Sequence, residues 1–387
     1  MERDELAAWL RLQQTPEVGN ASARRLLTAF GLPQSIFTQP EYGLAQVVSQ
    51  SQAQALKAEP NEWPALVDTT WQWLQADPDQ HHVLVLGDPA YPPDLLNMED
   101  PPVLLYGKGN ARAWTRIGST ESAARCLAIV GSRNPTPQGL TNARQFACSL
   151  AQSGWTIVSG LALGVDGAAH EGALEGAAPE QLATIAVVGT GLDRVYPRQH
   201  HDLAHRIAER GYLLSEYPLG TPPTAANFPR RNRIIAGLAR GTLVVEAALQ
   251  SGSLITARLS IEQGKDVFAI PGSIHSTQAR GCHALIKQGA KLVESAQDVL
   301  EELSNQSGLH FASKLIAYDA QSTWPTDQND SYNSLLQALG FDPSGLDALQ
   351  ARTGLETASL QGQLMQLELQ GQVARLPGGL FQRVGQG

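Results

Sequence analysis

Between residues 80 and 300, short apolar runs alternate with helical patterns, and this alternation constrains the fold more than any other feature of the chain. The runs rich in β-forming residues are HVLVLG, PVLLYG, LAIVG, TIVSG, TIAVVG, YLLSEY, TLVVEA, DVFAI and KLVE. Because these runs are apolar throughout rather than at alternate positions, they predict strands of a parallel sheet covered by helices on both faces. The predicted fold class is α/β: an extended Rossmann-like, doubly wound, mostly parallel sheet in which the first two strands form the extension.

The residues before this core, residues 1–77, predict a helical domain. Within it, residues 15–31 have a Pro-x-x-Gly turn followed by apolar residues at helical spacing. This segment resembles a helix-hairpin-helix (SAM-like) element, whose turn amides can hold a backbone phosphate. Such hairpins usually carry glycine where Glu17 stands. A small helical bundle with an ordinary turn explains the same pattern, so both interpretations stay open.

The predicted core spans residues 78–304. The residues after it predict a linker and a third domain. Residues 305–328 are polar and aperiodic, as in a linker. Residues 329–387 predict three short helices and a hairpin, which together make a winged helix. A helix that reads DNA should be basic, but residues 356–370 contain two glutamates and no lysine or arginine. We therefore expect this domain to contact protein rather than DNA.

The overall charge limits the classes of partner. A formal net charge of −9 argues against an indiscriminate polyanion binder, although it leaves room for a local basic groove. No run approaches the roughly 18 apolar residues of a membrane span, and the N-terminus lacks the layout of a signal peptide. The three cysteines are odd in number and lack metal-binding spacing, which favours a cytoplasmic protein without a metal or cofactor.

The stretch AIVGSRNPTPQGLTNARQFACSL, residues 128–150, predicts a buried strand, a tight turn and a helix capped by Thr136. The turn at Ser132 and Arg133 follows the strand at its carboxyl end, where open α/β sheets bind ligands. Helix N-termini and guanidinium groups both favour anions, so the turn predicts a phosphate site. It contains neither GxGxxG nor GxxxxGK[ST]. The alternative is an arginine that pairs with a nearby carboxylate.

Three further strand ends carry glycine, serine and arginine. They contribute Gly160, then Arg198, and then the run NFPRRNRIIAGLARGTLVVEAALQSGSLITA with its arginine cluster and its Ser251-Gly252-Ser253 turn. Tyr196 and Phe228 offer stacking faces for bases, the usual companions of cations in single-strand sites. Several phosphates along a strand fit this pattern better than the pyrophosphate of one nucleotide.

Histidines near these strand ends allow other interpretations. Asp166 and His170 lie four residues apart and could form an acid–base pair, but a capping aspartate and a packed histidine are the simpler interpretation. His200 and His201 point to different sides of a helix, so they are not expected to chelate one metal ion.

Together these motifs resemble the DNA-processing protein A (Smf) family over residues 83–303, through YPPDLLNMEDPPVLLYGKG, AIVGSRNPT, IVSGLALGVDGAAH, GTGLDRVYP, FPRRNRIIAGLARGTLVVEA, SGSLITA and PGSIHSTQARGCHALIKQGA. The resemblance implies a homodimer that binds single-stranded DNA, protects it and hands it to a RecA-type recombinase in natural transformation, with single-strand-binding protein as a further candidate partner. It leaves open whether the pathway is transformation or repair. The DNA-binding residues it implies are Ser132, Arg133, Gly160, Arg198, Arg231, Asn232, Arg233, Gly252 and Ser253.

The chain departs from the family pattern at His200 and His283, where asparagine is usual. The histidines either lose a backbone-fixing amide or replace it as donors. A competing interpretation is an enzyme similar to nucleotide phosphoribohydrolases, with Glu246 as the carboxylate and Arg133 as the phosphate clamp. The Pro-Gly-Gly of those enzymes is missing, so we expect a binding protein without catalytic residues. A pure adaptor that never touches DNA is a third class, and the arginine-rich strand ends argue against it.

Overall fold

The computed structural model describes residues 1–115, 125–306, 335–336, 338–340 and 343–384. The N-terminal region is helical. Its helices are α1 (Arg3–Gln14), α2 (Asn20–Phe30), α3 (Pro33–Thr38), α4 (Glu41–Leu44), α5 (Gln50–Lys57) and α6 (Trp63–Ala76). Leu6, Trp9 and Leu10 of α1 are fully or almost fully buried, and they pack with apolar residues of the other helices. Ser49 and Gln52 form a reciprocal capping box at the start of α5, which satisfies two backbone amides.

The nine apolar runs form one nine-stranded sheet, so the prediction of an extended, mostly parallel sheet is confirmed. The strands are β1 (His81–Val85), β2 (Leu104–Gly109), β3 (Cys126–Val130), β4 (Thr156–Ser159), β5 (Thr184–Val188), β6 (Tyr212–Ser215), β7 (Gly241–Val244), β8 (Asp266–Ala269) and β9 (Lys291–Leu292). Their order is β1-β2-β6-β5-β4-β3-β7-β8-β9. The first two strands are the extension: β1 pairs antiparallel with β2, and β2 pairs antiparallel with β6. The remaining pairs are parallel.

Helices cover both faces of the sheet. They are α7 (Ala111–Thr115), α8 (Pro137–Gln152), α9 (Val165–Gly176), α10 (His201–Arg210), α11 (Asn227–Leu238), α12 (Ser253–Glu262), α13 (Arg280–Lys287) and α14 (Ala296–Gln306). Successive residues of β3 point to opposite faces, as the pleat requires. Leu127 and Ile129 share one core with residues of α8, α9 and α10, whereas Ala128 and Val130 share the other with residues of α11, α12 and α13. Burial on both faces explains why the strand sequences are continuously apolar.

The order of the strands creates a switch point between β3 and β7. From β3 the chain adds β4, β5 and β6 in one direction, and it then returns to add β7, β8 and β9 on the other side. The loops that leave β3 and β7 therefore diverge to opposite faces of the sheet. Open α/β sheets bind ligands in the crevice that such a divergence leaves at the carboxyl ends of the strands.

The C-terminal region is the predicted winged helix. Its three-stranded sheet is formed by β10 (Ser344–Gly345), β11 (Val373–Leu376) and β12 (Leu380–Arg383), and its helices include α15 (Leu346–Thr353) and α16 (Thr357–Leu369). Its own core contains Leu335, Leu349 and Leu364. The predicted linker, residues 305–328, lies outside the described residues from residue 307 onward. None of the described helices has the length and apolarity needed to cross a membrane.

Candidate nucleic-acid interface

A cavity of about 730 Å³ opens at the switch point between β3 and β7. Six segments supply its polar lining: the loop after β3, the start of α9, the loop after β5, the start of α11, the loop that leads into α12 and the loop before α13. Of the predicted site residues, the structure brings together Ser132, Arg133, Arg231, Asn232, Gly252 and Ser253. The prediction of one composite site at several strand ends therefore has a physical counterpart in this cavity.

Glu246 fixes the loop between β3 and α8. Its carboxylate accepts hydrogen bonds from the backbone amide of Thr136 at 2.9 Å and from the Thr136 hydroxyl at 2.6 Å. Thr136 in turn accepts a hydrogen bond from the amide of Gly139, so it caps α8 as predicted. Gly139 has no room for a side chain, because an added Cβ would overlap the Glu246 carboxylate. These contacts hold the turn that carries Ser132 and Arg133 against the sheet.

Arg133 is exposed at the cavity. Its Cζ lies 5.7 Å from the centroid of the Phe228 ring. Within the described part of the chain its guanidinium forms no hydrogen bond or ion pair, so the alternative of a carboxylate partner finds no support there. An unpaired planar guanidinium beside an aromatic ring is suited to a phosphate with an adjacent base.

The start of α12 forms another wall of the cavity. Ser251 and Ser253 are joined through their hydroxyl oxygens at 2.7 Å, and the amide of Ser253 donates to Ser251 Oγ at 3.3 Å. Asn232 donates from Nδ2 to the carbonyl of Gly252 at 3.4 Å, which ties α11 to this turn. The positive end of the α12 dipole therefore faces the cavity, where it favours an anion.

Arg231 lies at the buried side of the cavity, with 4% of its surface exposed. Its Nη1 donates to the backbone carbonyls of Gly160 and Val187, whereas its Nε has no partner. Burial lowers the pKa of Arg231 to about 10, and the nearby Asp166 carboxylate opposes that shift. Gly160 is required because an added Cβ would overlap this guanidinium. Gly160 is itself buried behind Arg231 and is absent from the cavity lining.

Two other predicted contacts lie outside the cavity lining. Arg233 points toward the N-terminal helices, where it forms a bidentate ion pair with Glu216 and donates to the carbonyl of Asp100 at 2.8 Å. Asn20 of α2 donates to the same Glu216 carboxylate at 2.8 Å. Arg233 thus joins the core to the helical domain instead of facing a ligand. Arg198 is exposed in the short 3₁₀ turn Arg198–His200, two residues after the lining residue Tyr196, but it is not itself a lining residue.

A backbone bend beside the cavity is fixed from two sides. Leu161 has a φ of 58°, a left-handed conformation that is unfavourable for a residue with a side chain. Asp166 accepts hydrogen bonds from the amides of Gly160 and Ala162, on either side of the bend. His200 Nδ1 lies 3.0 Å from the carbonyl oxygen of Leu161, in the position of a donor. Ala162, which lines the cavity, is held in place by this arrangement.

The histidines serve as structural donors. His283 Nε2 lies 2.9 Å from the carbonyl oxygen of Gly272, so both His200 and His283 contact a backbone carbonyl. Of the two alternatives, these contacts favour histidines that replace the family's asparagines as donors. His170 is fully buried, and its Nδ1 lies 2.7 Å from Thr184 Oγ1, so its hydrogen bond is to Thr184 and not to Asp166. Burial lowers the pKa of His170 to about 3, so the histidine is neutral.

Glu246 is poorly placed for the enzyme alternative. Burial raises the pKa of its carboxyl, and the two hydrogen bonds from Thr136 oppose that shift. Both carboxylate oxygens are engaged by Thr136, and Glu246 is absent from the cavity lining. The described residues also contain no cluster of three or more histidine, cysteine, aspartate or glutamate side chains that could hold a metal ion.

The helical domain exposes a glutamate in its first turn, whereas the winged helix exposes apolar side chains on one helix. In the turn between α1 and α2, Glu17 has a φ of 64°, the conformation for which related hairpins use glycine. A carboxylate at this position disfavours a phosphate. In the winged helix, Leu360, Leu364 and Leu367 of α16 are buried as expected, while Met365 and Leu369 are exposed on one face. The prediction that this domain contacts protein stays a prediction.

Several lining residues have no counterpart among the predicted sites. Asn134, Gln250 and Gln278 contribute amide groups to the cavity, and Gln278 Nε2 donates to the carbonyl of Asn134 at 3.3 Å. Gln278 comes from the loop before α13, far from Asn134 in sequence. No local sequence pattern marks such residues, since their position depends on how distant loops meet.

The fold and the cavity define a class: an extended Rossmann-like protein with an anion-receptive site at the switch point of its sheet and a C-terminal winged helix. Comparison with known families makes the class specific. Residues 82–304 match the model described as DNA recombination-mediator protein A, and residues 319–379 match the DprA winged helix domain. The chain belongs to the DNA recombination-mediator protein A family.

Individual relatives agree with this assignment. The chain is 42% identical over 317 residues to Protein Smf of Escherichia coli strain K12, with 81% of this chain and 80% of the relative covered. It is 34% identical to Protein Smf of Synechocystis over 99% of this chain and all of the relative. Among solved structures, DNA processing protein A of Streptococcus pneumoniae matches with a TM-score of 0.63 and 35% identity, covering 78% of this chain and 98% of that one.

Proposed function

We propose that this protein binds single-stranded DNA in the cavity between β3 and β7 and delivers the strand to a RecA-type recombinase, without altering the DNA chemically. The observation that carries the proposal is Arg133, an exposed guanidinium without a hydrogen-bonded or ion-paired protein partner among the described residues. It lies over Phe228, in a cavity that the N-terminus of α12 also lines. At this place a phosphate can contact the guanidinium and the N-terminus of α12, while the adjoining base stacks on the ring.

The polar groups of the cavity favour binding without sequence preference. Arg133 and the amides at the start of α12 are suited to phosphate oxygens, which carry no sequence information. Tyr196 and Phe228 present ring faces, and every base can stack on a ring. The negative net charge argues against a general polyanion-binding surface, so the affinity depends on the local site.

Single strands should bind better than duplexes. A base that reaches the rings of Tyr196 and Phe228 must leave its neighbours and its pairing partner, which costs free energy in a duplex. A single strand has already lost its pairing, so it can occupy the cavity at lower cost. The cavity therefore distinguishes single-stranded from duplex DNA and does not distinguish base sequences.

The family assignment supports the delivery step. The family's description as a group of recombination mediators supports transfer of the bound strand to a recombinase. The exposed Met365 and Leu369 of α16 support a protein-contacting role for the winged helix. A homodimer, which the family resemblance implies, would present two cavities to one strand.

The test compares labelled oligothymidylate with a duplex of equal length at two salt concentrations, for wild type, Arg133→Ala and Arg230→Ala. Arg230 is the matched control, because it is exposed on the same helix as Phe228 but outside the cavity lining. We expect single-strand preference, roughly a 10- to 100-fold loss of affinity in Arg133→Ala and a salt slope smaller by about 1. Equal affinities for wild type and Arg133→Ala would contradict the proposal.

A further inference from the structure

Asp166 is an acidic residue in the lining of a cavity that is otherwise suited to anions. Its side chain is buried, with 7% of the residue exposed. Its carboxylate accepts hydrogen bonds from the amides of Gly160 at 3.2 Å and Ala162 at 3.3 Å. Burial raises the pKa of this carboxyl, whereas the neighbouring Arg231 and the two backbone donors oppose that shift and favour the charged form.

The charged side chains that line the cavity are Arg133, Arg231 and Asp166. They come from the loop after β3, from α11 and from α9. His170 follows four residues after Asp166 on the same helix, where its Nδ1 contacts Thr184 Oγ1, and His200 contacts the carbonyl of Leu161, between the residues whose amides donate to Asp166. With Asp166 ionised, two guanidinium groups face one carboxylate, which leaves a single net positive charge.

We propose that Asp166 sets the charge that this cavity accepts, so that the site selects the singly charged phosphodiester inside a strand over the doubly charged phosphomonoester of a free nucleotide or a phosphorylated strand end. The inference rests on the proposed function, because it takes the cavity to be the place where DNA phosphate binds. One negative charge neutralises the lining. A second negative charge has no uncompensated cation left in the lining and meets the fixed carboxylate, and like charges at short range repel.

The hydrogen bonds of Asp166 to the backbone need its oxygen but not its negative charge. Replacing Asp166 with asparagine keeps an oxygen that can accept from the amides of Gly160 and Ala162, while it removes the negative charge. The lining then carries two uncompensated positive charges. A dianion should gain more from this change than a monoanion does.

The test uses two small probes that differ by one charge: thymidine 5′-monophosphate and its methyl ester. Each probe competes with labelled oligothymidylate for the wild-type protein and for Asp166→Asn near pH 7.5 at matched ionic strength. Asp202→Asn is the control, since the Asp202 side chain is fully exposed on α10. We expect the wild type to bind the methyl ester more tightly, and Asp166→Asn to shift the ratio toward the monophosphate by roughly tenfold or more. The control should leave the ratio unchanged.

A second measurement needs no variant. Phosphomonoesters lose their second charge below a pKa of about 6, so the wild-type preference for the methyl ester should shrink near pH 5.5. The ratio of the two probes cancels effects of pH that act on both. Equal or tighter binding of the monophosphate near pH 7.5, an unchanged ratio in Asp166→Asn, or no displacement by the methyl ester would each overturn the proposal. Failure of the proposed function is a separate result, in which the wild type does not bind oligothymidylate.

Discussion

The rings of Tyr196 and Phe228 lie with their centroids 5.7 Å apart and their planes tilted by 31°, and both rings line the cavity. Tyr196 comes from the loop after β5, whereas Phe228 is the second residue of α11. Two rings from separate segments thus form one aromatic surface next to Arg133. A base that stacks on these rings would leave its adjoining phosphate within reach of the guanidinium.

Removing one ring of this pair should weaken DNA binding. We expect Phe228→Leu to lower the affinity for oligothymidylate by about 1–3 kcal/mol, because stacking on one base and the cation–π contact with Arg133 are both lost. Fluorescence anisotropy of the labelled oligonucleotide measures the change. Tyr42→Leu is the control, since Tyr42 is 77% exposed on α4 in the helical region. An affinity equal to wild type would remove the aromatic pair from the binding site.

Replacing Arg231 should mainly lower the stability of the folded protein. In Arg231→Met the carbonyls of Gly160 and Val187 lose their donor, and the buried Asp166 carboxylate loses its neighbouring positive charge. Breaking such a buried pair typically costs about 3–5 kcal/mol. Urea unfolding of the full chain checks the loss, with the exposed neighbour Arg230→Met as the matched control. A stability loss no larger than that of the control would show that Arg231 is free to serve the ligand instead.

Arg233 should matter for the junction between the helical region and the core, but not for DNA affinity. Arg233→Ala removes a bidentate ion pair with Glu216 and a hydrogen bond to the carbonyl of Asp100. Hydrogen bonds to charged groups contribute about 1.5–3 kcal/mol, so the junction should open more often. Hydrogen exchange in α1 and α2 measures this opening. A double-mutant cycle with Glu216→Ala isolates the pair, and no coupling between the two substitutions would count against it.

The fold could be predicted because its signals are local. Each strand is a continuous apolar run, and burial on both faces of the sheet requires that pattern. The turns at Ser132 and at Ser251 to Ser253 could be assigned to one site because both follow strands that flank the switch point. These two turns, together with Arg133, are the part of the cavity that the sequence indicates directly.

The roles of the arginines in RRNR could not be predicted from their clustering. Arg231 and Arg233 lie two residues apart on α11, which places them on nearly opposite sides of a helix with 3.6 residues per turn. One therefore turns into the sheet, and the other turns toward the helical region. Their partners, Gly160 and Glu216, are distant in sequence, and no local pattern connects them. The amides of Gln250 and Gln278 reach the cavity for the same non-local reason.

His170 should make the stability of the core depend on pH. Burial lowers the pKa of His170 to about 3 in the folded protein, whereas the unfolded chain takes up a proton near the ordinary value of 6.5. Below pH 6.5 the unfolded state therefore binds more protons, so the contribution is fully retained above pH 6.5 and is lost as the pH falls toward 3. At pH 5 the loss should be roughly 2 kcal/mol.

Replacing His170 with asparagine separates this titration from other acid effects. The asparagine amide can still donate to Thr184 Oγ1, which His170 Nδ1 contacts in the native protein. The variant is expected to be less stable near pH 7, because the smaller side chain leaves a void, yet its loss of stability between pH 7 and pH 5 should be smaller than that of wild type by roughly 2 kcal/mol. Urea midpoints at the two pH values give the comparison, with the exposed His205→Asn as control. Equal losses of stability between pH 7 and pH 5 in wild type and His170→Asn would mean that His170 becomes protonated within the folded core. The description of His170 as a neutral, packed histidine would then be wrong.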